Sequence, residues 1–207
     1  MAISATVSDQ DRARIAAAIR AAEAKTSGEI VCVLAQSSVD ATALPIFLAA
    51  LAALALPWAL VAATPLSVTR ILLLQLLLFV VLLGVLCLPR VRVALVPRAA
   101  RRRVAEQAAL EQFHMRGVAR TRNRTGILIF VSLAEHYARI VADEGIAARV
   151  AQSEWQDAVD ALIAHAREDR IADGFIAAIE RCGKVLADNF PPDDTNRDEL
   201  RDRIYLV

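Results

Sequence analysis

Three cysteines are too few and too scattered to staple a fold. Cys32, Cys87 and Cys182 show no CxxC spacing and no paired histidine nearby, which argues against a disulfide framework and a structural zinc site. All three lie in apolar runs and read as buried small hydrophobes. An excess of charge of one sign is also missing. The 24 basic and 23 acidic residues nearly cancel, so no global field points to nucleic acid or to an acidic substrate. No GxSxG, Walker A or HExxH motif occurs, which disfavours a serine hydrolase, a P-loop nucleotidase or a zinc protease. The opening "MAISATVSDQDRARIAAAIRAAE" lacks the charged, apolar and small-residue segments of a signal peptide.

Long hydrophobic runs, by contrast, are abundant. Hydrophobic residues make up 57% of the 207 and the mean hydropathy is +0.43, high for a soluble α/β domain. Leu44 to Ala63 carries no charge, and in Ile71 to Leu88 Gln75 is the one strongly polar side chain. A bilayer core of ~30 Å takes ~20 apolar residues of helix, and helices apolar all round have no face for water. The short connection "TPLSVTR" makes the two spans a hairpin, with Pro57 tolerated inside the first. Arg90, Arg92, Arg98, Arg101, Arg102 and Arg103 follow the second span, against Arg70 alone at the tip. By the positive-inside rule both ends of the hairpin face the cytoplasm and the tip lies outside. The basic run beside a span reads as a contact with anionic headgroups rather than with nucleic acid.

The segments flanking the hairpin read as one α/β domain. Ser8 with Asp11 caps a helix to about Thr26, whose stripe is Ile15, Ile19 and Ala22. "EIVCVLA", Glu29 to Ala35, is a central strand. A helix spans about Pro97 to Met115 and stops at Gly117. Gly126 to Leu133 is a second strand, apolar on both faces. A third, His136 to Ala142, alternates Ala138, Ile140 and Ala142 against Tyr137, Arg139 and Val141. Two amphipathic helices follow. Ser153 and Gln156 are expected to cap the first as a box, with the stripe Trp155, Val159, Leu162 and Ile163; the second carries Ile171, Phe175, Ile179, Cys182 and Leu186. "NFPPDD" ends helical structure at Pro191, and "ELRDRIYLV" is either an edge strand or an interfacial segment. The domain boundaries are then 1–40 and 90–190 for the two parts of the α/β domain, 43–89 for the hairpin and 191–207 for the tail.

"AEAKTSGEIVCVLAQS", then "RTGILIFVSLAEHYARIVADEGIAARV" and "RIADGFIAAIERCGKVL", in this order over about Val7 to Phe190, resemble the TPM domain family. The resemblance implies a three-layer α/β/α sandwich with a mixed sheet, here interrupted by the transmembrane hairpin. It also implies kinship with a plant thylakoid-lumen branch linked to photosystem II repair, with acid phosphatase activity and calcium binding. Many bacterial members are membrane proteins of unknown role.

The calcium site so implied keeps one acid here, Asp143, the candidate metal ligand. Asn123 lies near where the family has an acid or amide before the second strand, and Arg170 stands where it has an acid before the last helix. Calcium takes about six or more oxygen ligands, so arginine in place of an acid adds repulsion and weakens the calcium expectation. Asp157 and Asp160 fall on the polar side of a helix. Arg120, Arg122 and Arg124, with Arg116 and with Arg101, Arg102 and Arg103, are candidates for an anion or headgroup contact. His114 ends a helix, His165 sits near a polar boundary, and His136 turns a hairpin corner; none has a nucleophile in its sequence context. The expected role is a binding or scaffolding module at the cytoplasmic face of the bacterial inner membrane, in maintenance of membrane-protein complexes, with the lipid bilayer and a membrane-protein partner and no nucleic acid. The alternatives are a metal-assisted phosphatase built on Asp143 and an accessory subunit of a transporter or envelope complex, with Gln75 and Gly84 on a helix-packing face.

Overall fold

In the computed structural model, residues 7–37, 43–88, 91, 97–192 and 199–207 are described. Arg90 and Arg92 of the basic run, and Asp193 and Asp194 of "NFPPDD", lie outside them. The chain divides into two compact units: residues 1–38 with 103–207, and residues 39–102.

The first unit is built on a four-stranded sheet of order β3-β2-β1-β4. Strand β1 (Glu29–Ala35) runs parallel to β2 (Gly126–Ser132) over its whole length. Strand β3 (Tyr137–Ala142) returns antiparallel to β2. The tail settles as an edge strand: β4 (Ile204–Leu206) pairs parallel with Cys32–Leu34 of β1. Every residue of β1 and β2 is buried, because side chains alternate between two covered faces.

One face carries Ile30, Cys32, Leu34, Ile127, Ile129, Val131 and Ile140. Against it pack α1 (Asp9–Glu23), α6 (Gln156–Arg167) and α7 (Ile171–Asn189), through Ile15, Ile19, Leu162, Phe175 and Ile179. The opposite face carries Val31, Val33, Leu128, Phe130 and Val141, and meets Ala109 and Phe113 of α4 (Arg98–Met115). Three layers of helix, mixed sheet and helix result. β3 alternates as its pattern predicts, with Ala138, Ile140 and Ala142 on the first face and Tyr137 and Val141 on the second.

Local signals account for most boundaries. Ser8 Oγ accepts from the Asp11 amide at 3.1 Å while the Asp11 carboxylate accepts from the Ser8 amide, a complete capping box. Gly117 stops α4 at φ +76, a left-handed conformation that glycine adopts without steric cost. The box expected at Ser153 and Gln156 does not form. Gln152–Trp155 is a 3-10 turn, and α6 starts without a side-chain cap. Trp155 is buried there, so packing of the indole, not a cap, fixes this entry. A short helix, α5 (Glu144–Ala147), follows β3 and is capped by Asp143.

The second unit contains α2 (Ala43–Ala63) and α3 (Val68–Leu86). Helix α2 continues through Pro57, and Thr64 donates from its hydroxyl and its amide to Leu60 O at 2.7 and 2.9 Å, closing the last turn. Ala49, Ala53 and Ile71 are buried in this unit, but Leu54, Trp58, Leu73 and Leu77 are exposed. Cys32 and Cys182 are buried as expected, whereas Cys87 is exposed just after α3.

Candidate functional site

A cleft of about 400 Å³ opens where β1 and β2 begin, lined by Ser27, Asn123, Thr125, Gly145, Arg149, Phe190 and Pro191. Hydrogen bonds between its walls make it. Ser27 N donates to Phe190 O at 3.0 Å, Thr26 Oγ1 to the same oxygen at 2.6 Å, and Thr125 Oγ1 to Ser27 O at 2.8 Å. The Arg149 guanidinium lies 5.2 Å from the Phe190 ring centroid, a cation–π contact. Gly145 is required for the close approach at this corner, because a Cβ there would come within 2.5 Å of Arg124 O.

Asp143 stands beside the cleft and is only 3% exposed. Its Oδ1 accepts from the Glu144 amide at 2.7 Å. Arg124 Nη1 lies 3.5 Å from that oxygen and 3.4 Å from Glu144 Oε2. Arg124 is itself held at φ +54, a conformation that side chains other than those of glycine, asparagine and aspartate adopt rarely. Asp143 Oδ2 is buried without a hydrogen-bond partner among the described residues. No group of three or more His, Cys, Asp or Glu side chains placed to hold a metal occurs among the described residues. One half-committed carboxylate with a guanidinium against it does not fit calcium, a hard cation that takes about six to eight oxygens.

The other candidates are accounted for locally. Asp157 and Asp160 are exposed, and Asp160 accepts from Gln156 Nε2 at 2.8 Å. Arg170 pairs with Glu168, and the nearby Asp173 pairs with Arg14 at 2.7 Å. His114 and His165 each place Nδ1 on the carbonyl four residues back, Leu110 O at 2.7 Å and Ala161 O at 2.8 Å. His136, at φ +50, is exposed at the β2–β3 corner. Arg101, Arg102 and Arg103 occupy the first turns of α4, while Arg120, Arg122 and Arg124 follow its far end. About 18 Å of helix separates Arg103 from Met115. Arg122 uses its backbone amide on Glu199 at 3.0 Å, which ties the tail to the loop before β2.

Sequence reasoning missed a second group of acids. Glu23, at the end of α1, accepts from the Ile30 amide at 2.7 Å. Burial pushes its carboxyl up to about 9, with Glu29 and Asp202 adding to the effect. Glu29 is buried at the start of β1 and accepts from the amides of Glu199 and Leu200 at 3.3 Å. An acid as the first residue of an otherwise apolar central strand was the available signal. Missed as well was the carboxyl end of the parallel strands. There Ser37 Oγ donates to Glu135 Oε1 at 2.9 Å and Ser132 donates to the other carboxylate oxygen.

Residues 89–185 match the family model of the TPM domain. Those residues carry a TPM domain. This match begins after α3, and β1 joins the matched part through its pairing with β2. A similar solved structure is the NMR structure of the BA42 protein from the psychrophilic bacterium Bizionia argentinensis, at 19% identity and a TM-score of 0.61. The likeness covers 97% of this chain and 95% of that one, and at this identity it concerns the fold. No curated protein matches the chain. Burial pushes the thiols of Cys32 and of Cys182 in the TPM domain upward, the latter to about 12, which keeps them as unreactive thiols.

Proposed function

We propose that this chain is a membrane-anchored binding module: a TPM domain tethered by a helical hairpin, working by docking a partner rather than by hydrolysis. One observation carries the anchor. Two consecutive helices, Pro45–Ala63 and Val68–Leu86, have mean hydropathies of 2.4 and 2.5 and leave their large side chains uncovered, Trp58 at 82% and Leu73 at 62%. A core helix of a soluble protein buries such groups. Lipid is the medium in which helices apolar on every side lose nothing by exposure. Trp58, near the tip of the hairpin, suits the headgroup boundary where tryptophan is enriched.

The arginines after the second span favour termini in the cytoplasm, and Arg101, Arg102 and Arg103 are the residues assigned to anionic headgroups. Binding is preferred to phosphate-ester hydrolysis because of how the candidate acid and two of the histidines are engaged. Asp143 caps a helix and faces Arg124, and His114 and His165 are engaged by their own helices. A general acid–base pair needs a free group within hydrogen-bond reach of its proton. The class of partner that fits an anchored module with no catalytic set among its described residues is another membrane protein, in upkeep of a membrane complex.

The test is topological and biochemical. Alkaline phosphatase and a fluorescent protein are fused in turn to each terminus and to the hairpin tip, and membranes are washed with alkaline carbonate. Retention in the pellet, with active phosphatase at the tip alone, is expected. Release by carbonate would remove the anchor. Active phosphatase at the C-terminus would reverse the orientation. Turnover of a phosphomonoester by the purified full chain, lost in Asp143→Asn, would replace binding by hydrolysis.

A further inference from the structure

The hairpin unit contains one feature that anchoring alone does not explain. Between α2 and α3 lies a groove of about 300 Å³, lined by Ala50, Ala53, Leu54, Leu72, Gln75, Leu76 and Phe79. Gln75 is the one polar side chain in that lining. It is also the one strongly polar side chain in Ile71 to Leu88, and Leu44 to Ala63 has no charged residue. Its place along the helix is telling. Counted from Val68, it lies about 10 Å along a helix about 28 Å long, hence close to the middle of a span. Its carboxamide makes no hydrogen bond among the described residues.

A carboxamide at mid-bilayer depth has two N–H donors and an oxygen with two lone pairs to satisfy. An acyl chain fills an apolar groove but offers neither donor nor acceptor, so lipid leaves the group unpaired at a real cost. The occupant has to bring both a donor and an acceptor to the same depth. A second copy of the chain does so by construction: two Gln75 carboxamides related by a two-fold axis along the membrane normal make a reciprocal N–H···O pair. Ala50 leaves room on the α2 side for a neighbouring helix to come close, as small residues do at interfaces in membranes. We propose that this groove is the contact between two copies of the chain, with Gln75 paired to Gln75 at its centre. The inference rests on the membrane-anchoring reading above.

Disulfide cross-linking of the full chain in membranes tests it, in a Cys87→Ser background so that the exposed native thiol does not report. Leu72→Cys places a thiol in the groove. Leu77→Cys is the control, 59% exposed and absent from the groove lining. Under mild oxidation Leu72→Cys is expected to give a covalent dimer and Leu77→Cys is not. Adding Gln75→Leu should lower the dimer yield at Leu72→Cys by about tenfold, on the scale of an interhelical hydrogen bond, and Gln75→Asn should restore most of it. A dimer unaffected by Gln75→Leu would overturn the proposal, as would equal cross-linking from both positions. An adduct of Leu72→Cys with a different protein would also overturn it, since the occupant would then not be a second copy. The same membranes washed with carbonate separate the two readings. A chain that washes out loses the anchor and the dimer together, whereas a chain retained without a Leu72→Cys dimer keeps its anchor and loses only the pairing.

Discussion

The sandwich and the hairpin use the same residue types in opposite ways. In the sandwich, Ile127 and Leu128 are 0% exposed, and both faces of the sheet are covered by helices. In the hairpin, Leu72 and Leu77 are 56% and 59% exposed. The sandwich is stabilised by removing apolar area from water, on the order of 25 cal/mol per Å². The hairpin gains nothing from that term on its outer face unless its medium is lipid. The comparison therefore turns on solvent, and variants that disturb one region and spare the other test it.

The largest effect is expected in the sandwich. Trp155 is among the largest fully buried side chains, and Trp155→Ala should cost about 3–5 kcal/mol of domain stability. Chemical denaturation followed by circular dichroism would show it. The variant should still pellet with membranes, because α2 and α3 do not depend on that core. Loss of membrane association in Trp155→Ala would mean that the two regions are not independent.

The reciprocal variant is Leu77→Arg. An arginine at the centre of a span costs about 2.5–3.5 kcal/mol of insertion, so the carbonate-resistant fraction should drop sharply while the denaturation midpoint of the sandwich stays put. If α3 faced water instead, the same substitution would raise solubility and leave fractionation unchanged.

A third expectation concerns pH and touches the sandwich alone. The Glu23 carboxyl is raised from its ordinary 4.5 to about 9 by burial, with Glu29 and Asp202 adding to it. The folded state therefore holds this proton more tightly than the unfolded chain does. The resulting stability is fully present below about pH 4.5 and is lost as pH rises through about 9. Thermal midpoints should decline over that window, and Glu23→Gln should flatten the decline. Strand β4 should loosen first, since Asp202 lies in the segment leading to it. A midpoint that rises over the same window in the wild type would contradict this assignment.

What could be read from the sequence follows the strength of local physics. Strands β1 and β2 and the helices α1, α4 and α7 follow from periodicity and from caps such as Ser8–Asp11, which act within a few residues. The hairpin follows from composition alone. The box at Ser153 and Gln156 misled because the burial of Trp155, a long-range contact, outweighed a local capping pattern. The tail stayed ambiguous because three residues of strand mean nothing until β1 offers an edge. Of the site, Asp143 was legible as an acid at the end of a hairpin. The presence of Arg124 against it was not, because that pairing depends on a left-handed residue at the entrance to β2. The Glu23–Glu29–Asp202 group was hidden because the sheet brings its members together across 179 positions of chain.

The smallest effect, and the one that bears most on chemistry, lies at that corner. Asp143 caps α5 through the Glu144 amide, so Asp143→Ala should cost about 1 kcal/mol, the usual worth of an N-cap. Arg124 is 52% exposed on its side chain, and an ion pair so open to water contributes about 0–1 kcal/mol, so Arg124→Ala should barely move the midpoint. Calcium is the sharper probe. With a guanidinium already opposite Asp143 and no cluster of three acids among the described residues, millimolar calcium should leave the thermal midpoint of the wild type unchanged. Arg124→Asp replaces the cation by a second carboxylate at the same corner. If Arg124 is what excludes the ion, that variant should be less stable without calcium and recover part of the loss with it. A calcium-dependent rise in the wild type itself would show that the oxygens at this corner do hold the ion despite the arginine.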